Sequence, residues 1–213
     1  MIRSTSRFKA LLVEGVPGIG KSTLIDALIR RYVGSAAPRR IRTFVHLSQT
    51  YTYGPLAPAE DAGTLTVADN VRFLEHIVGL LEWLHAELGY SDKQSFVLID
   101  GLHLTHCLRP GVLSWDDAAF LDRRLAAADC KLLLLRGSDE TIWSRAIGAR
   151  AGWEFLEYAR KFGRTDRELH AHFVTEQKRL DVMFERSAMP KLWIQNDGSL
   201  QEVEDNAYEF WQR

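Results

Sequence analysis

A glycine-rich segment at residues 15–23 reads Gly-Val-Pro-Gly-Ile-Gly-Lys-Ser-Thr and matches the phosphate-binding pattern G-x-x-x-x-G-K-[ST] in full. It follows the apolar run 10–13 and opens an amphipathic stretch over 22–33, which indicates a buried strand, a turn and a helix. Glycines let the backbone curl so that its N–H groups face phosphate oxygens, and the first turn of the helix adds more donors. A chance glycine-rich turn is the alternative, which the flanking strand and helix disfavour. The segment therefore predicts that the chain binds a nucleoside triphosphate.

Each position of this loop is a candidate contact for the cofactors, which we expect to be ATP and Mg²⁺. Lys21 would bring a mobile positive charge to the phosphates and is also a catalytic candidate. Ser22 would present its hydroxyl to Mg²⁺. The full set of candidate cofactor-binding residues is Gly15, Val16, Pro17, Gly18, Ile19, Gly20, Lys21, Ser22 and Thr23.

The composition is that of one ordinary globular domain, for which we take residues 1–213. Hydrophobic residues make up 46% of the chain and charged residues 26%, so neither a disordered nor a membrane protein is expected. The net charge of −1 gives no global attraction to a nucleic-acid backbone. Cys107 and Cys130 form no metal-like pair, and no separate signal segment or bilayer-length apolar stretch occurs, which predicts reduced thiols in a cytoplasmic protein.

Strand and helix patterns alternate along the chain. Runs of β-branched and apolar residues predict strands at 8–14, 41–47, 95–99, 132–135 and 192–194. Apolar residues at helical spacing predict helices at 20–33, 67–88, 114–129, 140–150, 151–187 and 200–211, while 49–66 lacks a period and is predicted to be a long loop over the active site. Strands that are apolar on both faces, joined by helices, indicate an α/β fold with a parallel sheet covered on both sides. Ligands of such sheets bind at the carboxyl ends of the strands, where residue 15, the segment after 47 and Asp100 lie.

Asp100 ends a continuous apolar strand, so its carboxylate should face the crevice beside the phosphates. It would hold Mg²⁺ through water, or accept a proton from an attacking hydroxyl, and is a catalytic and a metal-binding candidate. The alternative is an Asp that only begins the tight turn Asp100-Gly101. Its position at the nucleotide site favours the functional interpretation.

Arginines at the end of the helix 140–150 are the remaining catalytic candidates, namely Arg145 and Arg150. With Arg160, Lys161, Arg164 and Arg167 they predict a basic lid over about 145–170 that closes over a transferring phosphoryl group and excludes water. The alternative for each is a solvated helix face with ion pairs. Arg145 and Arg150 are the better candidates.

Several motifs together resemble the P-loop kinases of the thymidylate kinase and deoxynucleoside kinase group. They are the run 11–23, the strand that ends at Asp100, the leucine strand followed by Ser138-x-Glu140 with Arg145 and Arg150, and the tail 189–194 with Asp197-Gly198-Ser199. The phosphate loop is highly specific for triphosphate binding, whereas the other motifs are individually weak. The resemblance implies a P-loop NTPase fold, with a parallel sheet of about five strands, helices on both faces and a helical basic lid. It also implies transfer of the γ-phosphoryl group of ATP to a small molecule.

Two departures from that group concern the acceptor. The group usually has Asp-Arg or Glu-Arg where this chain has Asp100-Gly101, and often Glu or Arg-Glu-Pro where it has Ser48-Gln49-Thr50. A phosphorylated acceptor needs a nearby cation, so a neutral hydroxyl acceptor is expected, a nucleoside first and an antibiotic-like alcohol second. Arg109 or a lid arginine would restore the alternative, a thymidylate kinase-like nucleoside monophosphate kinase. An ATPase or nucleotide switch without an acceptor, and a nucleotide-binding protein without catalysis, are further alternatives.

Contacts to the acceptor are predicted for Gln49, Tyr53, His103 and Arg109. His103 and His106 beside Cys107 have a spacing that suggests a metal site, but no partner cluster supports zinc. Aromatic side chains at 51, 53, 143 and 153 are candidates for stacking on a ring, with core packing as the alternative, and His170 and His172 are predicted to be solvated. The expected partner is a small-molecule acceptor, with no nucleic acid and no membrane, and a homodimer is left open.

Overall fold

A five-stranded parallel sheet forms the centre of the protein in a computed structural model that describes residues 8–35, 41–88, 94–109, 113–150 and 159–213. The strands are β1 (Phe8–Glu14), β2 (Ile41–Leu47), β3 (Gln94–Asp100), β4 (Cys130–Arg136) and β5 (Lys191–Gln195). Their order across the sheet is β2-β3-β1-β4-β5, with every neighbouring pair parallel. The predicted α/β fold with a parallel sheet of five strands is confirmed.

Helices cover the sheet and connect its strands. They are α1 (Lys21–Ser35), α2 (Gln49–Thr52), α3 (Ala57–Asp61), α4 (Val67–Leu88), α5 (His103–Cys107), α6 (Trp115–Ala127), α7 (Asp139–Ile142), α8 (Asp166–Arg186) and α9 (Leu200–Gln212). A wide π-type turn over Trp143–Ile147 and a tight turn over Gly148–Arg150 continue α7. Capping boxes define where two of the long helices begin: Ser114 with Asp117 for α6, and Thr165 with Glu168 for α8.

The strands are buried on both faces because helices pack on either side of the sheet. Residues 132–135 of β4, all leucine, have no exposed surface, and neither have Leu11 and Leu12 of β1. On one side, Trp211 of α9 meets Phe96 of β3 edge to face, with ring centroids 5.1 Å apart. One continuous core therefore fixes the ends of the strands, from which the functional loops emerge.

Three segments differ from the sequence-based predictions. The predicted loop 49–66 contains α2, a tight turn at Gly54–Leu56 and α3, because helical turns this short leave no apolar period to detect. Helix α5 directly follows β3 and was missed for the same reason. Of the helix predicted over 151–187, α8 forms the part from Asp166 onward, and 151–158 lie outside the described residues. Among the described helices, none is long and apolar enough to cross a membrane.

Candidate functional site

The loop after β1 curls tightly against its neighbours. Gly18 and Gly20 have φ values of +83° and +102°, which side-chain-bearing residues rarely adopt. A β-carbon on Gly18 would lie 2.6 Å from the Ala146 Cα atom, and one on Gly20 would lie 2.8 Å from Asn196 Nδ2. Asn196 also donates from Nδ2 to the Ile19 carbonyl at 2.7 Å. The loop is thus held between the end of β5 and the π-type turn, with space only for glycine.

Lys21, Ser22 and Asp100 meet at the base of this loop. The Lys21 ammonium donates to the carbonyls of Gly15 at 2.8 Å and Val16 at 3.3 Å. Ser22 Oγ donates to Asp100 Oδ2 at 3.3 Å, while Asp100 Oδ1 is buried and has no hydrogen-bond partner. A hydroxyl beside a buried carboxylate with an unpartnered oxygen is the hard-oxygen donor set that suits Mg²⁺. The residues present therefore fit the expected metal.

Glu14, the last residue of β1, secures the chain after β3. Its carboxylate is fully buried and accepts hydrogen bonds from the Leu102 N–H at 2.8 Å and the Thr105 hydroxyl at 2.6 Å. Two donors satisfy the buried charge, so the β3–α5 connection is tied to the strand that carries the phosphate loop. We missed this residue from the sequence, although a lone acidic residue at the end of an apolar strand was a signal for it.

A second buried network holds the main chain of Asp100 through hydrogen bonds. Thr52 Oγ1 donates to the Asp100 carbonyl at 3.1 Å, and His106 Nε2 lies 2.8 Å from the Thr52 carbonyl. On the other side of the ring, Nδ1 lies 2.6 Å from the Asn70 amide oxygen. Burial lowers the pKa of His106 to about 4, and the charges of His103 and Arg109 act in the same direction.

The neutral His106 ring has one N–H to donate, and the Thr52 carbonyl can only accept, so Nε2 carries the proton. Nδ1 then needs a donor. A half-turn of the Asn70 amide supplies one, and it also gives a partner to Asn70 Nδ2, which otherwise has none. The network links α4, α2 and α5 to the strand of Asp100.

A crevice opens beside the phosphate loop and reaches α8. It is lined by Gly15, Pro17, Lys21, Gln49, Thr105, Leu108, Arg109, Ala159, Phe162, His172, Phe173 and Glu176. The His172 and Phe162 rings stack with centroids 4.8 Å apart, and His172 Nε2 lies 3.2 Å from Glu176 Oε1. The prediction that His172 is solvated was wrong, because its ring is packed into this wall. Glu176 is 5% exposed and brings a carboxylate into the crevice.

Arg109 lines the crevice beside this stacked pair of rings. Its Nε atom lies 3.7 Å from Glu60 Oε1, and its guanidinium lies over the rings of Tyr53 and Phe162 at 5.1 and 5.0 Å. The Tyr53 hydroxyl donates to the other oxygen of Glu60. Of the predicted acceptor contacts, Gln49 and Arg109 therefore line the crevice, and Tyr53 lies under Arg109.

His103 is placed elsewhere. It is fully buried, and its Nε2 lies 3.1 Å from Asp122 Oδ1, which also accepts from Ser187 Oγ at 2.6 Å. This network joins α5, α6 and the end of α8, away from the crevice lining. The described residues contain no cluster of three or more His, Cys, Asp or Glu side chains that would hold a metal ion.

The predicted lid residues divide into two sets. Arg145 reaches the phosphate loop, because its Nη1 lies 4.0 Å from where a Gly20 β-carbon would be. Arg160 and Lys161 face carboxylates instead, Asp166 at 2.5 Å and Asp61 at 3.1 Å. Arg150 ends the tight turn after Gly148, but its side chain lies outside the description, as does Trp153.

The turn after β4 completes the site. Gln177 of α8 donates to the Gly137 carbonyl and accepts from the Gly137 N–H, both at 2.9 Å. A β-carbon on Gly137 would lie only 2.4 Å from Ile19 Cδ1. This turn, α8 and the phosphate loop therefore pack without spare volume.

Solved structures share this architecture over nearly the whole chain. A gluconokinase from Sinorhizobium meliloti 1021 superposes with a TM-score of 0.51 at 15% identity, covering 96% of this chain and 92% of that chain. The YorR protein from Bacillus subtilis, in complex with phosphorylated GDP, superposes with a TM-score of 0.56 at 14% identity, covering 92% of each chain. No protein-family model and no curated protein sequence matches the chain. Membership of the thymidylate kinase and deoxynucleoside kinase group stays a prediction, and the chain shares the α/β fold of these two structures, with a parallel sheet of five strands.

Proposed function

We propose that this protein is an ATP-dependent kinase that transfers the γ-phosphoryl group to a hydroxyl of a neutral small molecule, a nucleoside first and an antibiotic-like alcohol second. The observation that carries the proposal is that Lys21 of the phosphate loop and Glu176 of α8 line the same crevice. Lys21 would bind a triphosphate there, and the Glu176 carboxylate offers hydrogen-bond acceptors to a hydroxyl. Phosphoryl transfer needs the triphosphate and the acceptor hydroxyl to be held next to each other.

On the nucleotide side, the backbone N–H groups of residues 15–23 would bind the phosphates, and Lys21 would exchange the Gly15 and Val16 carbonyls for phosphate oxygens. Asp100 and Ser22 would hold Mg²⁺, which when bound neutralises charge on the phosphates. Asp100 bonds Ser22 and is not part of the crevice lining, and this supports metal binding over proton abstraction for its carboxylate. Arg145, beside Gly20, would stabilise charge on the transferring group.

On the acceptor side, the charges favour a neutral molecule. Arg109 of the crevice wall faces the Glu60 carboxylate at 3.7 Å, and the nearly buried carboxylate of Glu176 lines the crevice itself. An acceptor that already carries a phosphate would bring about two further negative charges next to these groups and to the triphosphate. Such repulsion in a partly desolvated crevice is costly, whereas hydroxyl groups can donate to the carboxylates.

The second candidate is a nucleoside monophosphate kinase, and the position of Arg109 in the crevice wall is the observation that favours it. ADP release by the purified protein separates the alternatives when matched nucleosides, their monophosphates and hydroxylated antibiotics are supplied in turn. We expect release that depends on a neutral acceptor. Preference for monophosphates would establish the second candidate, and release without any acceptor would indicate an ATPase or switch.

A further inference from the structure

We propose that Glu60 is a specificity-determining residue, which pairs with Arg109 and thereby excludes acceptors that carry a phosphate. The inference rests on the proposed function and gives a physical reason why neutral acceptors would be preferred over phosphorylated ones. Lys21 of the phosphate loop and Arg109 are the lysine and the arginine that line the crevice among the described residues, and the electrostatic partner of Arg109 decides what Arg109 can bind.

The pair is built into the wall rather than formed on an open surface. The side chains of Arg109 and Glu60 are only 15% and 14% exposed. The Tyr53 hydroxyl holds one Glu60 oxygen, so the other oxygen is directed to Arg109. The rings of Tyr53 and Phe162 lie against the guanidinium, which fixes its plane.

Binding a phosphate at Arg109 would disturb this arrangement. Either the guanidinium turns to the ligand and leaves the shielded Glu60 carboxylate without its cation, or the ligand's charge is held close to that carboxylate. Both are unfavourable where solvent screening is reduced. A neutral acceptor avoids both costs. The pair of Glu60 and Arg109 stays intact while hydroxyl groups of the acceptor donate to Glu176 or accept from Gln49. Discrimination thus comes from a repulsive element present before any acceptor binds.

The decisive variant is Glu60→Gln, which keeps the shape and the hydrogen bond from Tyr53 but removes the charge. The ratio of kcat/KM for dTMP to that for thymidine, and for AMP to adenosine, should rise about tenfold or more. Tyr53→Phe should move the ratio in the same direction by less, since it only loosens Glu60. Asp61→Asn is the matched control, because Asp61 lies next in α3 and pairs with Lys161 outside the crevice lining. It should leave the ratio unchanged.

A binding measurement tests Glu60 without relying on turnover. Inorganic phosphate is titrated calorimetrically into the protein with the phosphate loop saturated by Mg·ADP. We expect Glu60→Gln to bind phosphate about tenfold more tightly than the unmodified chain, and the double variant Glu60→Gln/Arg109→Ala to lose that gain. Thermal melting of each variant checks that it is folded. An unchanged phosphate affinity in folded Glu60→Gln overturns the inference, whereas absence of acceptor-dependent ADP release by the unmodified protein overturns the proposed function instead.

Discussion

Lys21 is bound by the carbonyls of its own loop, and a triphosphate would take over the same ammonium. We predict that Lys21→Ala abolishes phosphoryl transfer while the protein stays folded. A charge-assisted hydrogen bond contributes about 1.5–3 kcal/mol, and more where charge develops during reaction. Steady-state ADP release together with a thermal melt provides the measurement, and Lys178→Ala on the exposed side of α8 is the control. Normal turnover in folded Lys21→Ala would refute the kinase assignment.

One carboxylate oxygen of Asp100 accepts a hydrogen bond from Ser22 and the other has no partner, so the carboxylate is available to bind a cation. Asp100→Asn keeps the size but removes that charge. We expect kcat to fall by about 10²-fold or more, with a higher Mg²⁺ concentration needed for half-maximal rate. A Mg²⁺ titration of the rate measures both effects. If kcat and the Mg²⁺ dependence stay normal, Asp100 is a turn residue.

His106 gives the protein a pH dependence of stability. Its pKa in the folded protein is about 4, below its usual value of 6.5, so the unfolded chain binds the proton more readily. The stabilisation is complete above pH 6.5 and is lost as the pH falls toward 4, with an upper bound of about 3 kcal/mol. Urea unfolding at a series of pH values should show this loss, and His106→Gln should flatten the profile across that window. Parallel profiles for the two proteins would contradict the assignment.

At the scale of elements, the π-type turn and the phosphate loop act as one packed unit. Ala146 is buried against Gly18, where even a β-carbon would not fit. We predict that Ala146→Val pushes the loop out of position and raises the KM for ATP by roughly tenfold, since overpacking of this kind costs about 1–3 kcal/mol. The acceptor KM should change less. Ala149→Val, on an exposed position after the same turn, is the control, and equal effects of the two would argue against the contact.

The regular elements were largely predictable from the sequence, whereas the acceptor crevice was not. Strands β1 and β2 and helix α4 have the predicted bounds, because each combines a strong apolar pattern with a clear break at its ends. The phosphate loop was predictable because one continuous segment contains it. The pair of Glu60 and Arg109 joins residues far apart in sequence through two short helical regions that have no period of their own. Only the tertiary fold brings such groups together.

At the scale of the whole molecule, one core joins the first strand to the last helix, since Trp211 of α9 packs in the same core as Phe8 of β1 and donates from Nε1 to the Lys9 carbonyl at 3.2 Å. We expect a single cooperative unfolding transition, and ligand binding at the phosphate loop should raise its midpoint temperature. Mg·ATP at about 100 times its Kd should stabilise the fold by about 2.7 kcal/mol, which corresponds to a Tm increase of about 5–10 °C. Differential scanning fluorimetry measures the shift. Lys21→Ala should lose most of it, and an equal shift in that variant would locate binding elsewhere.

The contact between Gly137 and Ile19 has an evolutionary consequence. A β-carbon at 137 would lie 2.4 Å from Ile19 Cδ1 and 3.1 Å from Thr141 Cγ2, so a larger residue there needs the Ile19 side chain to move or to be smaller. Substitution at the end of β4 is therefore coupled to a residue within the phosphate loop, although the two are more than a hundred positions apart in the sequence. Descendants of this chain that acquire Ala at 137 should therefore hold the Ile19 side chain in another rotamer or replace it by Val or Ala.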